Sequence, residues 1–207
     1  MRQKYAEKYY KGKQGLDCYL KLTQAWGYQL RNSIDDNNIA RRIAEEAMSM
    51  CPETPAGYSR LGWIYFFDYM MGNTKSPRET FNKAIELAEK AVAMDDSFSD
   101  GHALLSTLYP SKKEYDKAID EGERGVTLDP GATAGLAIHA NSLSVAGCQR
   151  KPFRYSKKLS DSTPLVHPIY ITVLAWHSGK WGGLKRRFRH GRKQFSLRLI
   201  TFMPILA

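Results

Sequence analysis

Small side chains recur along this chain at helical spacing. Ala40, Ala44 and Ala47, followed by Pro52, form a first set. Ala84, Ala88 and Ala91 form a second, with Asp96 in the register of that proline. Ala118, Gly122, Gly125 and Pro130 form a third. Positions i, i+4 and i+7 share one helix face, so each set predicts a helix with a narrow groove of small side chains. Two antiparallel helices approach closely only where the side chains at their crossing are small. In the third set the predicted partner is residues 99–109, laying Leu105, Leu108 and Tyr109 into that groove. Pro130 then ends the second helix, because proline cannot continue one. Ala84 and Ala118 lie 34 residues apart, the period of a helix–turn–helix solenoid. The fold class predicted is all-α.

The pattern divides the chain into three parts. Residues 1–37 form a helical lead-in, with Leu16, Tyr19, Leu20 and Trp26 spaced for one helix face, and supply the first helix of an incomplete repeat. Residues 38–147 hold about three repeats. The copy that starts near Pro55 carries ten extra residues before Ala84. Met71-Gly72-Asn73 reads there as a helix end, and Ser76-Pro77-Arg78-Glu79 as a capping box with proline at the first helical position. A lengthened first helix and a longer loop are expected. Residues 148–207 have no repeat.

Tyr58, Leu61, Gly62 and Tyr65 fit a large residue, Leu, a small residue and an aromatic at repeat positions four, seven, eight and eleven. His102, Leu105, Ser106 and Tyr109 fit nearly as well; Leu136, His139, Ala140 and Leu143 begin a further copy. In these residues the chain resembles a tetratricopeptide (TPR) repeat protein. The resemblance implies a non-catalytic scaffold that binds a protein or peptide in a concave groove lined by the first helices. It places Trp63 and Phe66 on that face, with Ser59, Ala103, Thr107 and Asn141. The long-insert copy, AEEAMSMCPETPAGYSRLGW with GNTKSPRET and YDKAIDEGERGVTLDP, is similar to the C-terminal TPR region of bacterial class III adenylate/guanylate cyclases. That narrower likeness implies a fragment of a regulatory region, with no catalytic cyclase domain in this chain.

The net charge of +10 over 207 residues invites a nucleic-acid reading. Residues 149–207 carry thirteen Lys/Arg against the single Asp161, a net +12, whereas residues 1–148 carry a net −2. The basicity therefore belongs to the tail. After Gly147 a second helix is due, yet the chain reads CQRKPFRYSKKLSDSTPLVHP. Codons chosen for residues 181–194 and read two bases late give GRFEEAVSAWKKA, and residues 149–168 treated alike give EEAIPILKKAIRLNPFGPS. The protein fixes most middle bases of the shifted codons, and these set side-chain class. The tail is expected to be repeat-coding DNA translated out of frame, and disordered. The alternative is a nucleic-acid-binding tail acting through LKRRFRHGRK at 184–193, with Phe188 to stack.

No catalytic, cofactor-binding or metal site is expected. His167, His177 and His190 lack ligand spacing, and Trp181-Gly182-Gly183 lacks the lysine that follows a phosphate loop. Cys18, Cys51 and Cys148 are an odd number at wide spacing. That pattern argues against a disulfide framework and for a reducing, cytoplasmic setting. The basic, non-apolar start is not a signal peptide, and the apolar run at 168–176 is too short to span a bilayer. Neither a small-molecule substrate nor a membrane partner is expected.

Overall fold

The computed structural model describes residues 2–132 together with Gly135, Ile138, His139 and Ser142. Among them are seven α-helices and no strand: α1 (Arg2–Tyr9), α2 (Gly12–Gln29), α3 (Ile34–Met50), α4 (Pro55–Met71), α5 (Pro77–Met94), α6 (Ser99–Leu108) and α7 (Tyr115–Leu128). A short 3-10 turn, Tyr109–Lys112, joins the last two.

Local chemistry sets most boundaries. Ser33 caps α3, its hydroxyl accepting from the Asp36 backbone N–H at 3.0 Å, and Asp35 and Asp36 put negative charge in the first turn, where the helix dipole favours it. α4 ends at Gly72, in the left-handed region with φ 68°, and the Asn73 N–H donates back to the Asp68 carbonyl at 2.9 Å. Its 17 residues against the 10 of α6 are the predicted lengthening. The predicted capping box at Ser76 does not form, because Ser76 makes no side-chain cap bond. Thr74 replaces it: its hydroxyl accepts from the Ser76 N–H at 3.1 Å and pairs with the Thr80 hydroxyl at 2.5 Å.

The helices pack as three hairpins, α2 with α3, α4 with α5 and α6 with α7. α3 then meets α4, and α5 meets α6, so the hairpins stack in chain order. Successive first helices also pack together, α2 on α4 and α4 on α6, whereas α3, α5 and α7 form no comparable row. The array therefore curves around its first helices. This is a TPR-type all-α solenoid.

The small-residue faces lie where the pattern puts them. Ala40, Ala44, Ala47, Ala84, Ala88, Ala91 and Ala118 are fully buried. Leu61, Leu105, Tyr109, Gly62, Gly122 and Gly125 are buried beside them, with Tyr65 half-buried. Pro52 and Pro130 stand exposed in the turns after α3 and α7. One cluster joins Phe81, Ala84, Ile85 and Ala88 of α5 to Leu104, Leu105, Leu108 and Tyr109; another joins Ala40 and Ala44 to Leu61, Ile64 and Leu87. Full burial of a leucine or isoleucine here contributes about 1.5–3 kcal/mol.

Two expectations need correction, the buried face of α2 and the cysteines. Leu105, Leu108 and Tyr109 pack with Ala118 of α7. Gly122 faces Ser106 and His139, and Gly125 faces Ser99 and His102, where a Cβ would crowd its neighbours. On α2 the buried face is Gly15, Cys18, Leu22 and Ala25. The face with Leu16 and Leu20 points outward, at 53% and 54% exposure. Finally, Cys18 and Cys51 are joined in a disulfide, with Cα atoms 6.4 Å apart. Antiparallel packing brings the start of α2 beside the end of α3, so a separation of 33 residues is one hairpin long. Cys148 lies outside the described residues.

Candidate protein-binding groove

α2, α4 and α6 form the inner layer, and the side chains between their packed faces and solvent make up the groove. On α4, Trp63 and Phe66 are half-buried and meet edge to face, with centroids 6.2 Å apart. The Trp63 indole N–H is buried with no hydrogen-bond partner among the described residues. Thr107 on α6 is half-buried, its hydroxyl donating to the Ala103 carbonyl one turn back at 2.9 Å.

Two sequence-predicted groove residues are not surface groups. Ser59 is fully buried, its hydroxyl 2.5 Å from the Asp100 carboxylate, and ties α4 to α6. Ala103 is buried on α6. Asn141 lies outside the described residues. So Trp63 and Phe66 are in contact and half-buried on α4, Thr107 is half-buried on α6, and Ser59 and Ala103 are buried.

Sequence reasoning missed the polar end of the groove, centred on Arg60. Its guanidinium donates to Gln29 of α2 at 3.0 Å and lies 4.3 Å over the Trp26 ring. Burial pulls the Arg60 pKa down, partly offset by the negative charge of Asp100. A cation one helical turn before Trp63 is a visible signal, but its partners sit about thirty residues away and cannot be read from spacing.

α1 lies at the edge where α4 and α6 begin and α5 ends. The Ala56 backbone N–H, in the first turn of α4, donates to the Tyr5 hydroxyl at 3.2 Å. The Tyr5 ring stacks on Phe98, the residue before α6, at 5.0 Å and 27°. The Tyr9 hydroxyl and the Lys8 ammonium donate to Asp95 at 2.7 and 3.0 Å. Burial alone would raise the Asp95 pKa, but bonds from Ser97, Tyr9 and Lys8 outweigh it and hold the carboxyl well below the usual range. Burial pushes Tyr10 up to about 12, and Tyr10 packs edge-on against Tyr19 of α2 at 5.1 Å.

Behind the groove two buried polar clusters fasten the hairpins. Asp68 forms an ion pair with Arg41 and accepts from the Asn37 and Asn73 amides, both at 2.8 Å. His102, buried as its repeat position predicts, holds Glu121 of α7 at 2.6 Å through Nδ1 and the Asp96 carbonyl at 2.9 Å through Nε2. Burial pulls its pKa down, but Glu121 and Asp96 together raise it above the ordinary value.

Among the described residues no group of three or more His, Cys, Asp or Glu side chains converges to hold a metal ion, and no helix is long and apolar enough to cross a membrane.

No protein-family model matches the chain, and no curated protein does. Solved structures do. A thermophilic TPR protein of Thermus thermophilus superposes with a TM-score of 0.63 at 16% identity, over 78% of this chain and 81% of that one. A mutant O-GlcNAc transferase of Thermobaculum terrenum superposes with a TM-score of 0.50 at 17% identity, over 65% of this chain and 23% of the transferase. At such identities the likeness is one of fold, and it is the TPR fold.

Proposed function

We propose that this chain is a non-catalytic protein-interaction module that holds a segment of another protein against α4 and α6. The carrying observation is the half-exposed pair Trp63 and Phe66 on α4. Half-buried aromatics supply apolar contact at low entropic cost. A photo-crosslinking residue placed at Thr107 should capture a protein partner in cells, whereas the same residue at Glu86, exposed on α5, should not. Equal capture at both positions would count against the groove.

Further parts of the proposal rest on the sequence. The likeness of the long-insert copy to the C-terminal repeat region of class III cyclases supports an origin as a piece of such a regulatory region. The shifted-frame motifs support an out-of-frame origin for residues 148–207, which lie outside the described residues. Sequencing the locus tests both. A cyclase reading frame upstream, with a base lost near Cys148, is expected; an intact tail frame in independent isolates would overturn the second. A cytoplasmic location is part of the same proposal. There reductants hold cysteines as thiols, so Cys18 and Cys51 would pair only on oxidation.

A further inference from the structure

Nine large hydrophobic side chains stand exposed among the described residues, and five of them, Leu16, Tyr19, Leu20, Trp26 and Leu30, line α2 and its C-cap. They follow one another at helical spacing, on a separate face from the Gly15, Cys18, Leu22 and Ala25 that α2 buries. The row of first helices ends at α2, which packs closely on α3 and α4, so this stripe closes one end of the array. A concentration of exposed apolar side chains in one place marks an interaction surface. Its two aromatic rings are steadied in advance, Tyr19 by the Tyr10 ring at 5.1 Å and Trp26 by the Arg60 guanidinium at 4.3 Å.

The stripe reads alike in both directions from Thr23. Leu16 and Leu30 stand seven residues from it, Leu20 and Trp26 three, and Tyr19 and Gly27 four. Thr23 is exposed, and its hydroxyl already donates to the Tyr19 carbonyl at 2.9 Å. Gly27 is exposed as well, and a Cβ there would meet nothing within 4 Å. Packing within one chain therefore gives no reason for a residue that weakens a helix. Asp17 and Arg31 lie on opposite sides of Thr23, six and eight residues away, along one edge of the stripe by helical spacing. Arg31 is largely exposed and reaches Asp36 only at 3.4 Å.

We propose that this outer face of α2 is a homodimer interface, on which a second copy of the chain packs its own α2 antiparallel about a twofold axis at Thr23. A twofold contact needs a self-complementary patch, in which residue i meets j and j meets i. The order of the stripe meets that condition. Leu16 faces Leu30 of the second copy, Leu20 faces Trp26, and Tyr19 lies over the space that Gly27 leaves open. Asp17 of each copy falls beside Arg31 of the other, so opposite charges meet twice at the edge of the contact. A single helix pair is a small interface, so the dimer is weak, with a dissociation constant in the micromolar range. It uses none of Trp63, Phe66 and Thr107 and leaves the groove on α4 and α6 free.

Sedimentation velocity on the full chain, from about 1 μM to about 1 mM, should show reversible association to a dimer and no further. Leu20→Glu, a change at an exposed position, should weaken that dimer at least about tenfold while circular dichroism shows the helices intact. Asp17→Lys and Arg31→Glu should each weaken it a few-fold, and the two together should restore it. With Cys148→Ser in the background, Thr23→Cys should cross-link two copies through itself far faster than Glu45→Cys, at an exposed position of α3. The proposal is overturned by a chain that stays monomeric, or by a dimer that Leu20→Glu leaves unchanged. Charge reversals that add instead of cancelling, or equal cross-linking at the two positions, would overturn it as well.

Discussion

Asp68 shows how much one residue holds here. It sits on α4 but is reached from α3 by Arg41 and Asn37 and from the following turn by Asn73. Removing one partner of a buried pair strands the other without compensation. Asp68→Ala should therefore cost about 3 kcal/mol in denaturant unfolding, whereas truncating exposed Glu53 should cost little. His102 supplies a pH signature. Its pKa is raised in the folded protein by Glu121 and Asp96, so its stabilising effect is complete below the unfolded value of about 6.5 and fades as pH rises through the folded value. The melting temperature should fall as pH rises above about 6.5, and His102→Gln should flatten that fall. Gly62 is held by a close approach: a Cβ there would lie 2.6 Å from the buried Leu104 side chain and 3.3 Å from the Ala84 carbonyl. Gly62→Val should cost about 1–3 kcal/mol through overpacking.

At the level of elements, each hairpin has its own fastening. The first carries the Cys18–Cys51 disulfide, the second the Thr74–Thr80 pair, and the third the His102–Glu121 contact. A cross-link closing a loop of 33 residues stabilises by about 3–4 kcal/mol in the chain-entropy account. Reduction of the oxidised protein should lower its melting temperature by roughly 10 °C, read by calorimetry with and without a reductant. Much of the helix plan was legible from the chain alone. Alanines at i, i+4 and i+7 mark the packed face of a second helix, because only small side chains permit its closest approach. Gly72 and Pro77 bracket the long loop for equally local reasons. The face of α2 was misread because Leu16 and Leu20 look like core residues, yet the packing on α3 is made by Cys18, Leu22 and Ala25. Hydrophobicity names a face; closeness of approach selects it.

Across the whole molecule, three hairpins make a short array with two ends to cover. The repeat pattern expects the segment after α7 to have lost its partner, with Leu136 and Leu143 exposed, so that truncation before Thr133 would help. Both leucines lie outside the described residues. Two other residues of that segment reverse the prediction: His139 and Ser142 are buried, with Ser142 bonded to the Ser106 hydroxyl and carbonyl, each at 2.9 Å. A chain ending at Ala132 should melt lower than the full chain. In the candidate groove, repeat position alone proposes Trp63 and Phe66, whereas the contacts of Arg60 with Gln29 and Trp26 and of Ser59 with Asp100 join residues far apart in the chain, which no periodicity encodes.

The central claim is that the inner face of α4 receives a protein segment, and the indole N–H of Trp63 reports on it directly. A peptide selected from a displayed library on this chain should shift the Trp63 indole resonance in a nitrogen–proton correlation spectrum as it is titrated. Resonances of the outer residues of α5, such as Lys83 and Glu86, should stay in place. An unmoved Trp63 signal, with shifts confined to α5 or α7, would contradict the account.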